Sequence, residues 1–318
     1  MKNENNVLQK LLGIEHPIIL APMFLVSNVK MVSAAMQKNI AGCIPAMNYR
    51  TIPELKAAIT ELQKAKTPQG AFGFNIIVNK SNLKHLEQLD AICEMGVDFI
   101  ITSLGNPEEI IKKAHTHGIK VFCDVVNIEH AKKVEALGCD ALIAVNSQAG
   151  GHRGSMNPED LIVQLVGNCD IPVISAGGVG NKAELDKMMS FGAVGVSIGS
   201  PFIASIEADI SDEYKQACVD YGAKDVVVTQ KISGTPCTVI NTPYVQKVGT
   251  KETWIELILN KYGFFKKWVK ILRYLKGSSD VANAAKKVTY KTVWVAGPSI
   301  EHTKKIDSVK DIIDRFIK

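Results

Sequence analysis

The chain has 318 residues, 46% hydrophobic and 22% charged, with a formal net charge of +5 at pH 7. That length buries a sizeable core in one barrel-sized domain or in two ordinary ones, and composition alone does not choose between them. The polar opening MKNENNVLQKLLGIEHP lacks the apolar h-region of a secretory signal, and no stretch reaches eighteen uncharged apolar residues, so a soluble, unexported, cytoplasmic protein is expected.

Seven cysteines (Cys43, Cys93, Cys123, Cys139, Cys169, Cys218 and Cys237) are scattered, odd in number, and show no C-x-x-C pair. They read as small buried apolar residues in a reducing compartment, and no metal site is expected. His115 and His117 lie two apart, which on a helix points them in different directions. From Lys247 onward, 16 Lys and Arg face 7 Asp and Glu, whereas the preceding residues hold 21 against 25. A basic surface attracts anionic partners, but solvated lysines on exposed helices explain the same excess.

In chain order, short apolar runs alternate with longer amphipathic stretches. The runs are PIILAPM, AGCIPAM, FGFNIIV, FIITSL, KVFCDVV, ALIAVN, PVISAGGV and GVSIGS, beginning at residues 17, 41, 72, 99, 120, 141, 172 and 195. Between them lie SNVKMVSAAMQKN, TIPELKAAITELQKA, NPEEIIKKAHTHG, NIEHAKKVEALG and NKAELDKMMSFG. These open on Ser, Thr or Asn, carry apolar residues at three- and four-residue steps, and several end in Gly, as helices do. Eight continuous apolar strands joined by helices, spaced by about 20 to 30 residues, predict an α/β fold of the (β/α)₈ TIM-barrel type ahead of an open doubly wound sheet. SDEYKQACVDYG supplies the eighth helix. Beyond it, VVVTQKISGTPCTVINTPYVQKVG reads as turn-rich, and ETWIELILNKYGFFKKWVKILRYLKG as one or two amphipathic helices interrupted near Gly263. The predicted organisation is a barrel domain over 1–228, a helical lid or insertion after strand 8 over 229–291, and a segment over 292–318 that completes the barrel domain. Loops at strand C-termini build barrel active sites, so the insertion is read as a cover for the mouth, in preference to a helix lying on a membrane surface. The basic residues lack the aromatic interleaving of nucleic-acid modules, so no nucleic-acid partner is expected.

The strand ends carry the chemistry. SAGGVG and SIGS follow the seventh and eighth strands, where barrels bind phosphate through backbone N–H groups, which makes Gly177, Gly178, Gly199 and Ser200 the expected phosphate ligands. GGVGN is not the G-x-G-x-x-G of a dinucleotide unit, and no Walker A pattern occurs, so a monophosphate-bearing ligand fits better. Met23 in APM and Asn75 in FNI face the same mouth, Asn75 offering both donor and acceptor to a ring of carbonyls and nitrogens. In AVNSQAGGHRGS, Gly150, Gly151 and Gly154 surround His152, expected to act as a general base or hydrogen-bond donor. Arg153 suits either an anion clamp or a structural ion pair. Asp124, ending the fifth strand, is also placed to face the mouth.

Taken together, APM, FGFN, AGGHRG, PVISAGG, GAVGVSIGS and ISGTPCTVI, in that order, resemble the nitronate monooxygenase family, formerly called 2-nitropropane dioxygenases. The resemblance runs from about residue 8 to 246 and resumes at VWVAGPS. It implies an FMN-dependent barrel that oxidises nitronates, and in some members nitroalkanes, with O2. It places the catalytic histidine at His152, the FMN phosphate on Gly177, Gly178, Gly199 and Ser200, and the isoalloxazine against Met23, Asn75 and Gly151. Two departures stand out: Gln148 where many members have an acidic residue, and Pro298 with Ser299 where a glycine-glutamine pair is common, which affects one expected flavin contact. The flavin-dependent enoyl-acyl carrier protein reductases and the NAD(P)H:quinone reductases are the competing enzymatic readings, with NAD(P)H in place of O2, and a non-catalytic flavin-binding protein is the third. The oligomeric state is left open, a homodimer included.

Overall fold

The computed structural model describes residues 7–78, 82–231, 235–250 and 293–318. Eight parallel strands close into a barrel: β1 (Ile18–Leu20), β2 (Ala41–Pro45), β3 (Ala71–Ile77), β4 (Phe99–Ser103), β5 (Lys120–Val125), β6 (Ala141–Val145), β8 (Val173–Ala176) and β9 (Gly195–Ile198). A two-residue strand, β7 (Gly151–His152), interrupts the count after β6. Each barrel strand is followed by a helix, in order α2 (Val29–Met36), α3 (Ile52–Ala65), α4 (His85–Met95), α5 (Glu108–Thr116), α6 (Ile128–Ala136), α7 (Pro158–Val166), α8 (Lys182–Ser190) and α9 (Asp212–Asp220). The (β/α)₈ prediction therefore holds.

The helix starts follow from side-chain caps. Asn28, Thr51, Asn127, Asn157, Asn181 and Ser211 each accept a first-turn backbone N–H, and Thr51 with Glu54 closes a reciprocal capping box.

Strand parity sorts the residues between two faces. In β3, Phe72, Phe74 and Ile76 pack outward in the cluster shared with the helices, so Ala71, Gly73 and Asn75 point into the barrel. The lower interior is filled by Ile19, Cys43, Phe99, Phe122, Ile143 and Ile174, with Phe99 and Phe122 stacked at 5.4 Å between centroids. Leu8 and Leu12 of α1 (Val7–Leu12) belong to the same buried cluster and plug the strands' N-terminal end. Packing closed at one end leaves the C-terminal mouth as the open end.

After α9 the structure departs from the turn-rich reading. Val226–Thr229 forms β10 and Cys237–Ile240 forms β11, an antiparallel pair, followed by the short helix α10 (Pro243–Val248). The second edge of β11 pairs with β7, Cys237 opposite His152 and Thr238 opposite Gly151. Short runs hide such a hairpin among Gly, Pro and Thr, while the ladder it makes satisfies their backbone groups. Residue 228 and residue 229 thus share one strand. Most of the lid expected over 229–291 lies outside the described residues. The chain ends on α11 (Val309–Ile317), whose Val309, Ile312, Ile313 and Phe316 are buried, and Asp314 of α11 pairs with Lys38.

Candidate active site

Inside the mouth lies a cavity of about 340 Å³, within the range of small-molecule sites of about 300–1,000 Å³. Met23, Asn75, Gly151, His152, Gly177, Gly178, Gly199 and Ser200 all line it, so the residues expected to hold a flavin and the expected base are brought to one chamber. Ser103, Asp124, Gln148, Tyr214 and Ser299 line it as well. No lysine or arginine does, among the described residues.

At one end, β8 and β9 stop in small-residue corners. Gly177 and Gly178 have φ values of +110° and +79°, a region that favours glycine, and a Cβ on Gly177 would lie 2.4 Å from Ala149 N. The backbone N–H groups of Gly177, Gly178, Val179, Gly199 and Ser200 donate to no acceptor among the described residues. Such groups seldom stay unpaired when shielded, and a cluster of them fits anionic oxygens. Gly199 is bare for a different reason. A Cβ there would meet only ordinary contacts, the closest Met23 Sδ at 3.4 Å, so its missing side chain widens the cavity without being demanded by packing. Ser200 Oγ accepts the N–H of Gly297 at 2.8 Å, keeping its own hydrogen to donate. The end of α8 contributes less than its position suggests: Gly180 N–H donates to Glu184 Oε2 at 2.7 Å, and Asn181 caps the first turn, so that helix terminus is already satisfied.

Across the ring, β3 stands opposite β8 and β4 opposite β9 in the strand order. Here three inward side chains form a row. Asn75 Nδ2 donates to Ile101 O at 3.1 Å and to Ser103 Oγ at 2.8 Å, and Ser103 Oγ donates to Asp124 Oδ2 at 2.5 Å. Asn75 therefore offers the chamber its carbonyl oxygen alone, a correction to the donor-and-acceptor expectation. Burial raises the Asp124 pKa to about 6, against the lowering effect of the Ser103 hydrogen bond.

The loop after β6 carries His152. Gly151 takes φ +76°, and the space beside Gly150 and Gly154 is filled by the protein itself: added Cβ atoms would meet Gly297 N at 2.8 Å and Val145 O at 2.4 Å. Those two glycines admit neighbouring backbone, not ligand. His152 stays exposed toward the cavity, yet the chain crowding it desolvates the ring and lowers its pKa below the usual imidazole value, so the neutral base prevails at pH 7. Arg153 Nη1 donates to Ser147 O at 2.7 Å within the same loop and does not line the cavity, which decides for a structural role over an anion clamp.

Of the two departures, Gln148 sits against Gly178, where an added Cβ would meet its Oε1 at 2.2 Å, so an uncharged amide occupies the edge of the anion corner. Ser299 follows Gly297 on a 3₁₀ turn, Pro298–His302, and joins the wall. Tyr214 stacks on Trp294 at 5.8 Å and donates to Val295 O at 2.5 Å, holding that returning segment. Ser103 went unrecognised in the sequence. Its signal was parity, since it continues the inward series Phe99, Ile101.

All seven cysteines are free and buried. Among the described residues no group of His, Cys, Asp and Glu is arranged to hold a metal, and no helix is long and apolar enough to cross a membrane.

The family model described as nitronate monooxygenase matches residues 84–318. The (3aS,4S,5R,7aS)-5-hydroxy-7a-methyl-1-oxo-octahydro-1H-indene-4-carboxyl-CoA dehydrogenase of Rhodococcus jostii is 30% identical over 249 residues, 78% of this chain and 69% of its own length. A probable nitronate monooxygenase of Staphylococcus aureus is 28% identical over 296 residues, covering 79% of this chain and 82% of its own. Among solved structures, FabK from Thermotoga maritima superposes with a TM-score of 0.84 at 27% identity, covering 98% of this chain and 94% of that one.

Proposed function

Since the chain belongs to the nitronate monooxygenase family, we propose that this oxidoreductase binds FMN in the barrel mouth and oxidises alkyl nitronates or nitroalkanes with O2, His152 serving as its base. The observation that carries the reading is the chamber itself, with unengaged amides at one end, an acceptor-bearing polar row at the other and a neutral imidazole between roof and wall.

The residues present fit a flavin phosphate. Gly177, Gly178, Gly199 and Ser200 offer N–H groups to its oxygens, and among the described residues no unshielded acidic side chain stands at that corner, where residue 148 is glutamine. Met23, Asn75 and Gly151 would border the ring. The bound flavin supplies the redox and oxygen chemistry. His152 would take the α-proton of a nitroalkane onto its ring nitrogen, or donate its N–H to a nitronate that has already lost that proton. The β10–β11 hairpin holds it at the chamber through the β7 pairing.

The likeness to the Rhodococcus carboxyl-CoA dehydrogenase favours a second reading, dehydrogenation of a carboxyl-CoA substrate, beside the NAD(P)H-dependent reductase reading. Purified protein should be yellow and release FMN on denaturation. Anaerobic mixing separates the readings: bleaching by a nitronate and not by NADH supports the oxygenase, and rapid bleaching by NADH supports a reductase. Unchanged turnover of a His152→Ala protein that retains FMN would favour a binding protein with a structural histidine.

A further inference from the structure

In the polar row on β3, β4 and β5 an acceptor and a carboxyl flank Ser103, and no lysine or arginine among the described residues lines the chamber to neutralise the carboxyl. Both amide hydrogens of Asn75 are used inside the wall, and its Oδ1 has no partner among the described residues. Asp124 receives one hydrogen bond, from Ser103 to Oδ2, and its Oδ1 likewise has no partner among the described residues. Among the described residues, the titratable groups facing this space from neighbouring elements carry no positive charge to offset it. Cys43 on β2, Tyr214 on α9 and Cys237 on β11 are pushed up by burial and stay neutral, and His152 on β7 is pushed down and is neutral at pH 7. An ionised Asp124 is thus a desolvated charge with one donor. Protonated, the same group turns Oδ1 from acceptor to donor.

We propose that Asn75 and Asp124 read the pyrimidine edge of the flavin as a pair, Asn75 accepting from the ring N–H and the neutral Asp124 carboxyl donating to the adjacent ring carbonyl, so that flavin capture takes up one proton at Asp124. The proposal rests on the flavin reading above. An N–H and a carbonyl on one ring edge call for an acceptor and a donor on the facing wall, and Asp124 supplies the donor only when protonated. The row also stands across the ring from the free amides, so a ligand with an anionic tail in that corner meets it with the far end of its ring. The proton comes from solvent and stays on the carboxyl, and no electrons move. Burial assists by holding the Asp124 pKa near 6 before any ligand arrives.

The test is a titration of flavin-stripped full-length protein with riboflavin and with FMN from pH 5 to 8.5, followed by flavin fluorescence. Riboflavin is needed because the FMN phosphate itself titrates near pH 6. The riboflavin Kd should rise roughly tenfold per pH unit above about pH 6. Asp124→Asn, a neutral donor at every pH, should bind with a flat profile, and Asp124→Leu weakly throughout, with melting curves confirming that each is folded. Calorimetry in two buffers of different ionisation heat should read close to one proton taken up at pH 7.5 by the unmodified chain and none by Asp124→Asn. A flat unmodified profile with no proton uptake, or an unchanged slope in Asp124→Asn, overturns the proposal and leaves the flavin reading standing. Absence of binding by both probes at every pH overturns both. Should the variants fail to fold, the proton count on the unmodified chain decides alone.

Discussion

The hydroxyl of Thr238 on β11 donates to the carbonyl of Ala149 at 2.6 Å and lies 3.3 Å from that of Gly151. One side chain thereby pins the loop that delivers His152, from a strand nearly ninety residues later. Thr238→Val keeps the β-branched shape and removes the donor. The buried carbonyl of Ala149 then loses its partner, which costs about 1–3 kcal/mol. Chemical denaturation should register that loss. Turnover should fall while FMN content stays near one per chain, because the corner at Gly177 and Gly199 is untouched.

As the proposed base, His152 is expected to set the acid limb of the pH profile. Desolvation favours its neutral form, so kcat/KM for a nitroalkane should rise with pH through a value below the usual imidazole pKa and then level off. His152→Ala should erase that limb and slow proton abstraction by about 10²–10⁴-fold. A nitronate, already deprotonated, should suffer a smaller loss. Stopped-flow reduction with both substrates measures the contrast, and equal losses would count against a role as base.

How far the sequence disclosed this arrangement depends on the range of the signal. The barrel strands were legible because each is a continuous apolar run, and the intervening helices because residues such as Thr51 and Asn181 announce their caps locally. The hairpin was not. Its strands are four residues long, and its third partner, Gly151–His152, has no alternating pattern at all. Gly177, Gly199 and His152 were readable from strand-end position. The bonds of Ser103 to Asn75 and Asp124 emerge only when three strands are set in register. Ser299 looked like a lost contact until the 3₁₀ turn brought it to the wall.

Two glycines of the anion corner separate packing from binding. In Gly199→Ala the new methyl meets only ordinary contacts, the backbone φ of −112° suits alanine, and the fold should melt within about 2 °C of the unmodified protein. The methyl projects into the cavity, so the FMN Kd should rise at least about tenfold, equal to about 1.4 kcal/mol. Gly177→Ala is the opposite case. Its φ of +110° is strained for alanine and the Cβ would press on Ala149 N, so stability itself should drop. Differential scanning calorimetry with and without FMN tells the two apart; a Gly199→Ala protein that melts early but binds FMN normally would contradict this account of the corner.

The buried carboxyl of Asp124 should also mark the stability of the flavin-free chain. Its folded pKa of about 6 lies above the unfolded value, so the native state holds a proton that the unfolded chain gives up first. The associated stability is fully present below the unfolded pKa, near 3.8, and is lost as pH rises through 6. The difference between those pKa values corresponds to about 3 kcal/mol. Asp124→Asn keeps an acceptor for the Ser103 hydroxyl and cannot ionise. Its stability advantage over the unmodified chain should therefore grow between pH 4 and 6 and stay constant from pH 7 to 8. Urea unfolding at fixed pH steps measures that difference curve, and because both proteins share every other titrating group, a difference that does not change with pH would mean that Asp124 is already ionised throughout the range.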